Sequence, residues 1–332
     1  MSYYIAADIG GTKTLIQLIK KHDAAHEVVK QQHYASAKFK SFNDLLSDFI
    51  DFEFPVKACC FAIAGPVKEI KGNRTAQVTN LPWHIDQAKL LKDFKFEHCI
   101  LINDFEANAL AVDSLQEEDM IVLQAGHPQK NATRAIIGAG TGLGQAVMIP
   151  TGNDYKVLST EGGHVNFAPN SELEIDLLQY MLKSQSPVSY ENLLSGSGIQ
   201  HMFDFFLDHL NLDPRKFPHI LQAKDPAAAI SKEAQNNKQS LSAQTMRLFC
   251  RIYGSQTGNL ALNCLPWGGL YIAGGIAAKN IEYIQSPEFL EAFRHKGKMA
   301  KLVREFPVIL ITNPDIGLIG ATQTALKEND NS

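Results

Sequence analysis

Residues 3–20 read YYIAADIGGTKTLIQLIK, and residues 134–148 read RAIIGAGTGLGQAVM. Each stretch is an apolar run, a short turn of Gly and Thr, and a second apolar run, the pattern of two strands joined by a tight turn. Such a turn presents consecutive backbone N–H groups on one side, and a glycine there lets an anion approach where a Cβ would block it or penalise a positive φ. One Gly-Gly turn is as readily an ordinary hairpin. Two matching loops in equivalent places are the feature from which the fold is read.

The same organisation extends outward from both. Residues 3–8, 13–20 and 26–33 read as three strands. Ser41 caps a helix whose apolar face is Phe42, Leu45, Leu46, Phe49 and Ile50, and residues 57–64 form a continuous apolar strand of the kind buried on both faces. A helix starting near Asp86, a strand over 99–102 and a helix over 105–112 complete the first half. The second half repeats it with strands at 134–137, 143–148 and 156–159, a long helix over 240–262, a strand at 269–273, a helix at 287–294, a strand at 307–311 and a helix at 317–327. Residues 171–236 read as an all-helical insertion into this second unit. The similarity suggests duplication. The tail 328–332 is polar and expected to fray.

Other nucleotide motifs fail on context. G-x-x-x-x-G-K-[ST] is absent, and the G-x-G look of residues 138–144 lies between two strands, whereas a dinucleotide fingerprint opens a helix. The two loops differ at one point. Asp8 ends the first strand beside Gly10, Gly11 and Thr12, while Gly138 occupies the corresponding place before Gly140, Thr141 and Gly142. A carboxylate beside a phosphate cradle is repelled unless a cation intervenes, so Asp8 is a candidate to hold Mg²⁺ through water, against the simpler role of a turn-forming Asp.

The bulk numbers exclude several classes. The chain has 332 residues, enough for two domains, and 31 basic against 35 acidic side chains give a formal net charge of −4, which offers no electrostatic reason to expect nucleic acid or an anionic membrane. There is no basic-then-apolar leader and no apolar run of bilayer-spanning length. The expected setting is a soluble, cytoplasmic protein. Cys59, Cys60, Cys99, Cys250 and Cys264 form no paired C-x-x-C pattern and read as reduced thiols, three of them acting as small hydrophobes in strand-like runs.

Taken in order, the motifs Asp8-Ile-Gly-Gly-Thr, Ala62-Ile-Ala-Gly-Pro-Val, Thr79-Asn80 with Trp83, Ile102-Asn103-Asp104-Phe105, Gly138-Ala-Gly-Thr-Gly-Leu-Gly, Glu161-Gly-Gly-His-Val-Asn-Phe-Ala-Pro, Leu194-Ser-Gly-Ser-Gly, Gly258-Asn-Leu-Ala-Leu-Asn and Ala273-Gly-Gly-Ile give a chain that resembles the bacterial-type glucokinases of the actin/hexokinase superfamily over nearly its whole length. The resemblance implies an α/β fold with two ribonuclease-H-like domains, a cleft between them and a helical insertion in the larger. It places the small domain at 1–112 plus 312–332 and the large domain at 113–311. It implies ATP and Mg²⁺, glucose as substrate, and a homodimer. Lys13 departs from the Asn that these enzymes carry after Gly-Gly-Thr, and the segment after Asn313 is one residue longer. The Cys-x-Cys-Gly zinc cluster of a related sugar-kinase group is absent, so His164 lacks partners for tetrahedral zinc.

Phosphoryl transfer needs positioned reactants and a group to accept the proton of the attacking hydroxyl. Asp104 follows a buried strand where the chain turns into a helix; position alone fits an N-cap as well as a base, and the resemblance favours the base. Asn103, Asp104, Glu161, His164 and Glu191 match the family's sugar-binding positions, and Gly274 with Gly275 matches the approach to adenosine. Read blandly, Glu161 and His164 flank a surface turn, Glu191 is a solvated acid, and the glycine pair is a strand-to-helix turn. The leading expectation is ATP-dependent phosphorylation of D-glucose to glucose 6-phosphate, the first step of glycolysis. A kinase for another hexose or an N-acetylhexosamine, and a catalytically silent sugar-responsive regulator, are the alternatives.

Overall fold

The structure is a computed structural model that describes residues 2–22, 25–152 and 154–327; the polar tail expected at 328–332 lies outside the described residues. The chain divides into two compact units, Met1–Gln116 with Asp315–Ser332, and Glu117–Pro314.

The first unit begins with β1 (Ser2–Ile9), β2 (Lys13–His22) and β3 (Ala25–Ala35), followed by α1 (Phe42–Phe49) and β4 (Val56–Ile63). Then come β5 (Val67–Ile70), β6 (Asn73–Gln77), β7 (His84–Asp86), α2 (Gln87–Phe94), β8 (His98–Asn103) and α3 (Asp104–Ala111). The main sheet runs β3-β2-β1-β4-β8. β1, β2 and β3 are antiparallel neighbours, whereas β4 and β8 join parallel to β1. Alternation along β1 decides the layers. Ile5, Ala7 and Ile9 face a core with Leu45, Leu46 and Phe49 of α1, while Tyr4 and Ala6 face Leu318, Ala321 and Ala325 of the C-terminal helix, Ile316–Lys327. Ser41 caps α1 by accepting from the Asp44 N–H, and Asp86 caps α2 by accepting from the Lys89 N–H, each cap being typically worth about 1 kcal/mol. β5, β6 and β7 form a separate three-stranded sheet that periodicity did not reveal.

The second unit repeats the strand order. After β9 (Met120–Gln124) come β10 (Arg134–Ala139), β11 (Leu143–Thr151) and β12 (Asp154–Thr160). A helical stretch follows: α4 (Glu172–Leu182), α5 (Gly196–His209), α6 (Pro218–Leu221), α7 (Pro226–Asn236) and α8 (Leu241–Cys264). β13 (Gly269–Ala273), α9 (Gly275–Lys279), α10 (Ile281–Ile284), α11 (Pro287–Arg294), α12 (Ala300–Val303) and β14 (Val308–Ile311) complete the unit. The sheet runs β12-β11-β10-β13-β14-β9, with β10, β11 and β12 antiparallel, β13 and β14 parallel to β10, and β9 antiparallel at the edge. β3-β2-β1-β4-β8 and β12-β11-β10-β13-β14 are thus one topology used twice. α8 is buried along most of its length. Gly254 and Gly258 let it press against α11, where a Cβ at either position would overlap the Phe289 or Phe293 carbonyl.

All five cysteines are free, four of them buried. Among the described residues no helix is long and apolar enough to cross a membrane.

Candidate functional site

In both units the chemistry-bearing residues lie where the parallel strands end, the edge at which open α/β sheets receive ligands. In the first unit Asp8 pairs with Ala62 of β4, and Ala62 pairs with Ile102 of β8, so β1 and β8 flank β4 and finish at Ile9 and Asn103. Asp104 is the first residue of α3. The cap of that helix is Asn103, whose Oδ1 accepts from the Phe105 N–H at 2.9 Å while its Nδ2 donates to the Gly65 carbonyl at 3.0 Å. The cap role weighed for Asp104 therefore falls to its neighbour, although Asp104 Oδ1 also accepts from the Phe105 N–H at 3.0 Å.

Two carboxylates meet here. Burial pushes Asp104 up to about 7, the Asp8 charge adds to the rise, and the Phe105 N–H opposes it. Burial likewise raises Asp8 to about 6, with Lys13 pulling down and Asp315 pushing up. A carboxylate held near neutrality can take up a proton at physiological pH, which one near 4 does poorly. Gly317 completes the surroundings of Asp8, because a Cβ there would stand 2.8 Å from its Oδ2. Asp315 and Gly317 were not singled out in the sequence; their signal was the Pro314-Asp-Ile-Gly run directly after the last strand.

The first glycine loop is tightly packed. Gly10 N–H donates to the Lys13 carbonyl, Ser36 Oγ donates to the Gly10 carbonyl, and Ser36 N–H donates to the Thr12 carbonyl. A Cβ on Gly11 would come within 2.6 Å of the Thr79 carbonyl. Thr12 is exposed. Neither Gly10 nor Gly11 has a positive φ, so close approach, and not backbone handedness, explains glycine here.

The second loop is shorter than its motif. Gly138 lies within β10, paired with Gly144 and Ala273, which leaves Gly140, Thr141 and Gly142 as the turn. One segment, 191–196, holds it from both sides: Leu143 N–H donates to Glu191 Oε2 at 2.9 Å, and Gly196 N–H donates to the Gly140 carbonyl at 2.9 Å. A Cβ on Gly142 would overlap the Glu191 carboxylate, whereas nothing stands within 4 Å of one on Gly140. Beside it, Gly274 has a φ of +90°, a conformation that favours glycine, and its missing Cβ makes room for the Ala139 carbonyl; the space over Gly275 is open.

Glu161, His164 and Glu191 converge. His164 Nε2 lies 3.8 Å from Glu161 Oε2, and its Nδ1 lies 3.7 Å from Glu191 Oε1. These separations exceed a direct hydrogen bond, so the three groups face one another with bonding capacity unspent. The two glycines between Glu161 and His164 are there for packing, since a Cβ on Gly163 would overlap the Leu143 carbonyl and one on Gly162 would stand 2.5 Å from Gln145 Oε1. Gln145 is another residue the sequence reading passed over, and its buried Nε2 has no hydrogen-bond partner among the described residues. Asn103 and Asp104 belong to the first unit, Glu161, His164 and Glu191 to the second. Among the described residues no group of three His, Cys, Asp or Glu side chains is placed to hold a metal ion by itself.

Comparison with known proteins identifies the family. The glucokinase family model matches residues 5–328. A glucokinase of Nostoc punctiforme is 42% identical over 351 residues, covering 98% of this chain and 100% of that one. The crystal structure of a glucokinase from an Antarctic psychrotroph superposes with a TM-score of 0.80 at 32% identity, covering 100% of both chains. That of a glucokinase from Balamuthia mandrillaris in complex with glucose gives 0.82 at 22% identity, over 98% of this chain and 94% of that one, a likeness of fold. With a family match over nearly its full length and relatives of this identity, the chain belongs to the glucokinase family.

Proposed function

We propose that this protein transfers the γ-phosphoryl group of ATP to the 6-hydroxyl of D-glucose. The observation that carries the reading is Asp104, a carboxyl raised to about 7 at the end of a parallel strand, in a chain of the glucokinase family. Asp104 accepts the proton of the attacking hydroxyl as the new O–P bond forms. Asn103, Glu161, His164 and Glu191 hold the other sugar hydroxyls, for which the 3.7–3.8 Å gaps around His164 leave room to bond. The two turns, Gly10, Gly11 and Thr12 and, beyond the strand end at Gly138, Gly140, Thr141 and Gly142, let the phosphates approach closely with the Thr12 and Thr141 hydroxyls as donors, and Gly274 and Gly275 let adenosine approach. Asp8 is the residue that would hold Mg²⁺ through water. Its raised carboxyl, with Asp104 and Asp315 nearby, suits a cation. When bound, that ion would neutralise charge on the transferring phosphates.

The two units are, on this reading, the small and large ribonuclease-H-like domains of the actin/hexokinase superfamily. A hexose held by residues of both would close the cleft of such a fold, excluding water that could otherwise attack ATP. X-ray scattering with and without glucose tests closure, and superimposable curves would refute it. The same reading expects a cytoplasmic homodimer acting at the first step of glycolysis. The function itself is tested by a coupled ADP assay with ATP and a panel of hexoses. Glucose should give the highest kcat/KM, and turnover confined to an N-acetylhexosamine would overturn the assignment.

A further inference from the structure

The Gly258-Asn-Leu-Ala-Leu-Asn motif has no place in the chemistry above. Lys296, just after α11, crosses α8 at Gly258, where a Cβ would stand 2.5 Å from Lys296 Cε. Its Nζ donates to the Ser255 carbonyl at 2.8 Å and to Asn259 Oδ1 at 2.7 Å. Asn259 Nδ2 in turn donates to the Tyr190 hydroxyl at 3.1 Å and to Gln256 Oε1 at 3.1 Å. An ammonium group has donors and no acceptor, so it fixes the Asn259 amide with oxygen toward Lys296 and nitrogen toward Tyr190.

Tyr190 is 2% exposed and packs edge-on against Phe167, with ring centroids 5.6 Å apart. It is the centre of a short pairing between the two sugar-side segments: Phe167 N–H donates to Val188 O, Tyr190 N–H to Val165 O, and Glu191 N–H to Gly163 O, at 2.9–3.0 Å. Anchoring the Tyr190 hydroxyl therefore sets where the next residue, Glu191, begins, and Glu191 reaches both His164 and Leu143 N–H.

We infer that Lys296, Asn259 and Tyr190 form a polar relay that positions Glu191, making Lys296 and Asn259 positioning residues for sugar recognition. The inference rests on the proposed function. Burial holds the Lys296 ammonium down to about 8, opposed by the Glu174 carboxylate, as expected of a charge retained inside a packed helix pair.

The test compares Lys296→Met, Tyr190→Phe and the double variant in steady-state kinetics. Each single change should raise the glucose KM roughly five- to twentyfold, as for a lost buried hydrogen bond, and leave the ATP KM within about twofold. The double variant should be no worse than the worse single, because both cut one relay. Tyr190→Phe keeps the Lys296–Asn259 pair, so it decides the matter even if Lys296→Met does not fold. An unchanged glucose KM in Tyr190→Phe, or effects that multiply in the double variant, would overturn the relay. Glu191→Gln separates this from failure of the underlying reading. If Glu191→Gln also leaves the glucose KM unchanged, the site assignment fails; if it raises KM while the relay variants do not, only the relay fails.

Discussion

The two units build the same five-strand order and end it differently. In the first, the parallel strands finish beside two carboxyls, Asp8 and Asp104, raised to about 6 and about 7. In the second, Gly138 occupies the position of Asp8, and the residue after β14 is Thr312. One copy of the fold puts two carboxyls at the ends of these strands, and the other puts Gly138 and Thr312 there, with open space over Gly140 and Gly275. The comparison teaches that the topology supplies only an edge where ligands can approach. A carboxyl there costs stability but can move a proton, and a glycine there does the reverse. The glycine loops differ in the same spirit. Gly11 is wedged against backbone, whereas Gly142 faces the movable end of Glu191.

The largest expected effect breaks the comparison at its charged end. Asp104→Asn should cut kcat by on the order of 10²–10⁴ with glucose binding largely kept, as for loss of a positioned base. Near-normal turnover in the purified variant would remove Asp104 from the mechanism. On the other unit, Glu161→Gln or His164→Ala should raise the glucose KM by about tenfold, the loss of one hydroxyl partner, with little change in the ATP KM. A weakened ATP KM with an unchanged sugar KM would put these residues on the wrong substrate.

The loops can be separated in the same way. Gly11→Ala must displace the Thr79 carbonyl and should lower stability by about 1–3 kcal/mol. Gly142→Ala can instead push Glu191 aside, so it should cost less than about 1 kcal/mol of stability while raising the glucose KM. Denaturant titration together with kinetics would show it, and equal stability losses would erase the distinction.

Much of this was legible in the sequence because the informative signals were local. Ser41, Asp86 and Ser240 mark helix starts by their own side chains, and the Gly-Thr turns sit between unmistakable apolar runs. The missed parts were non-local or lacked a period. β5 and β6, reading Val-Lys-Glu-Ile and Asn-Arg-Thr-Ala-Gln, are short and mostly solvent-facing, so neither buried run nor alternation betrays them. The bond from Leu143 N–H to Glu191 joins residues 48 apart, and the reason for glycine at 142 and 163 lies in what packs against them. Gly138 looked like a loop residue by its motif and proved to be a paired strand residue.

A smaller effect follows from linkage. The carboxyl of Asp104 is raised in the folded state from 3.8 to about 7, so its stabilising contribution is full below pH 4 and is lost as pH rises through 7. Asp104→Asn should therefore raise the Tm of the ligand-free protein by about 2–6 °C at pH 8, discounted for partial exposure, and by nothing at pH 4. A calorimetric shift that does not depend on pH would contradict that origin.

The central claim is that Asp104 must be ionised to accept the proton of glucose, beside an Asp8 that is itself raised. The most direct measurement is kcat/KM for glucose from pH 5 to 9, which reports ionisations of the free enzyme. The account predicts a plateau above about pH 7, a fall below it as the Asp8–Asp104 pair takes up its first proton, and a steeper fall below about 6 as it takes up the second. A profile that stays flat down to pH 5 would contradict it.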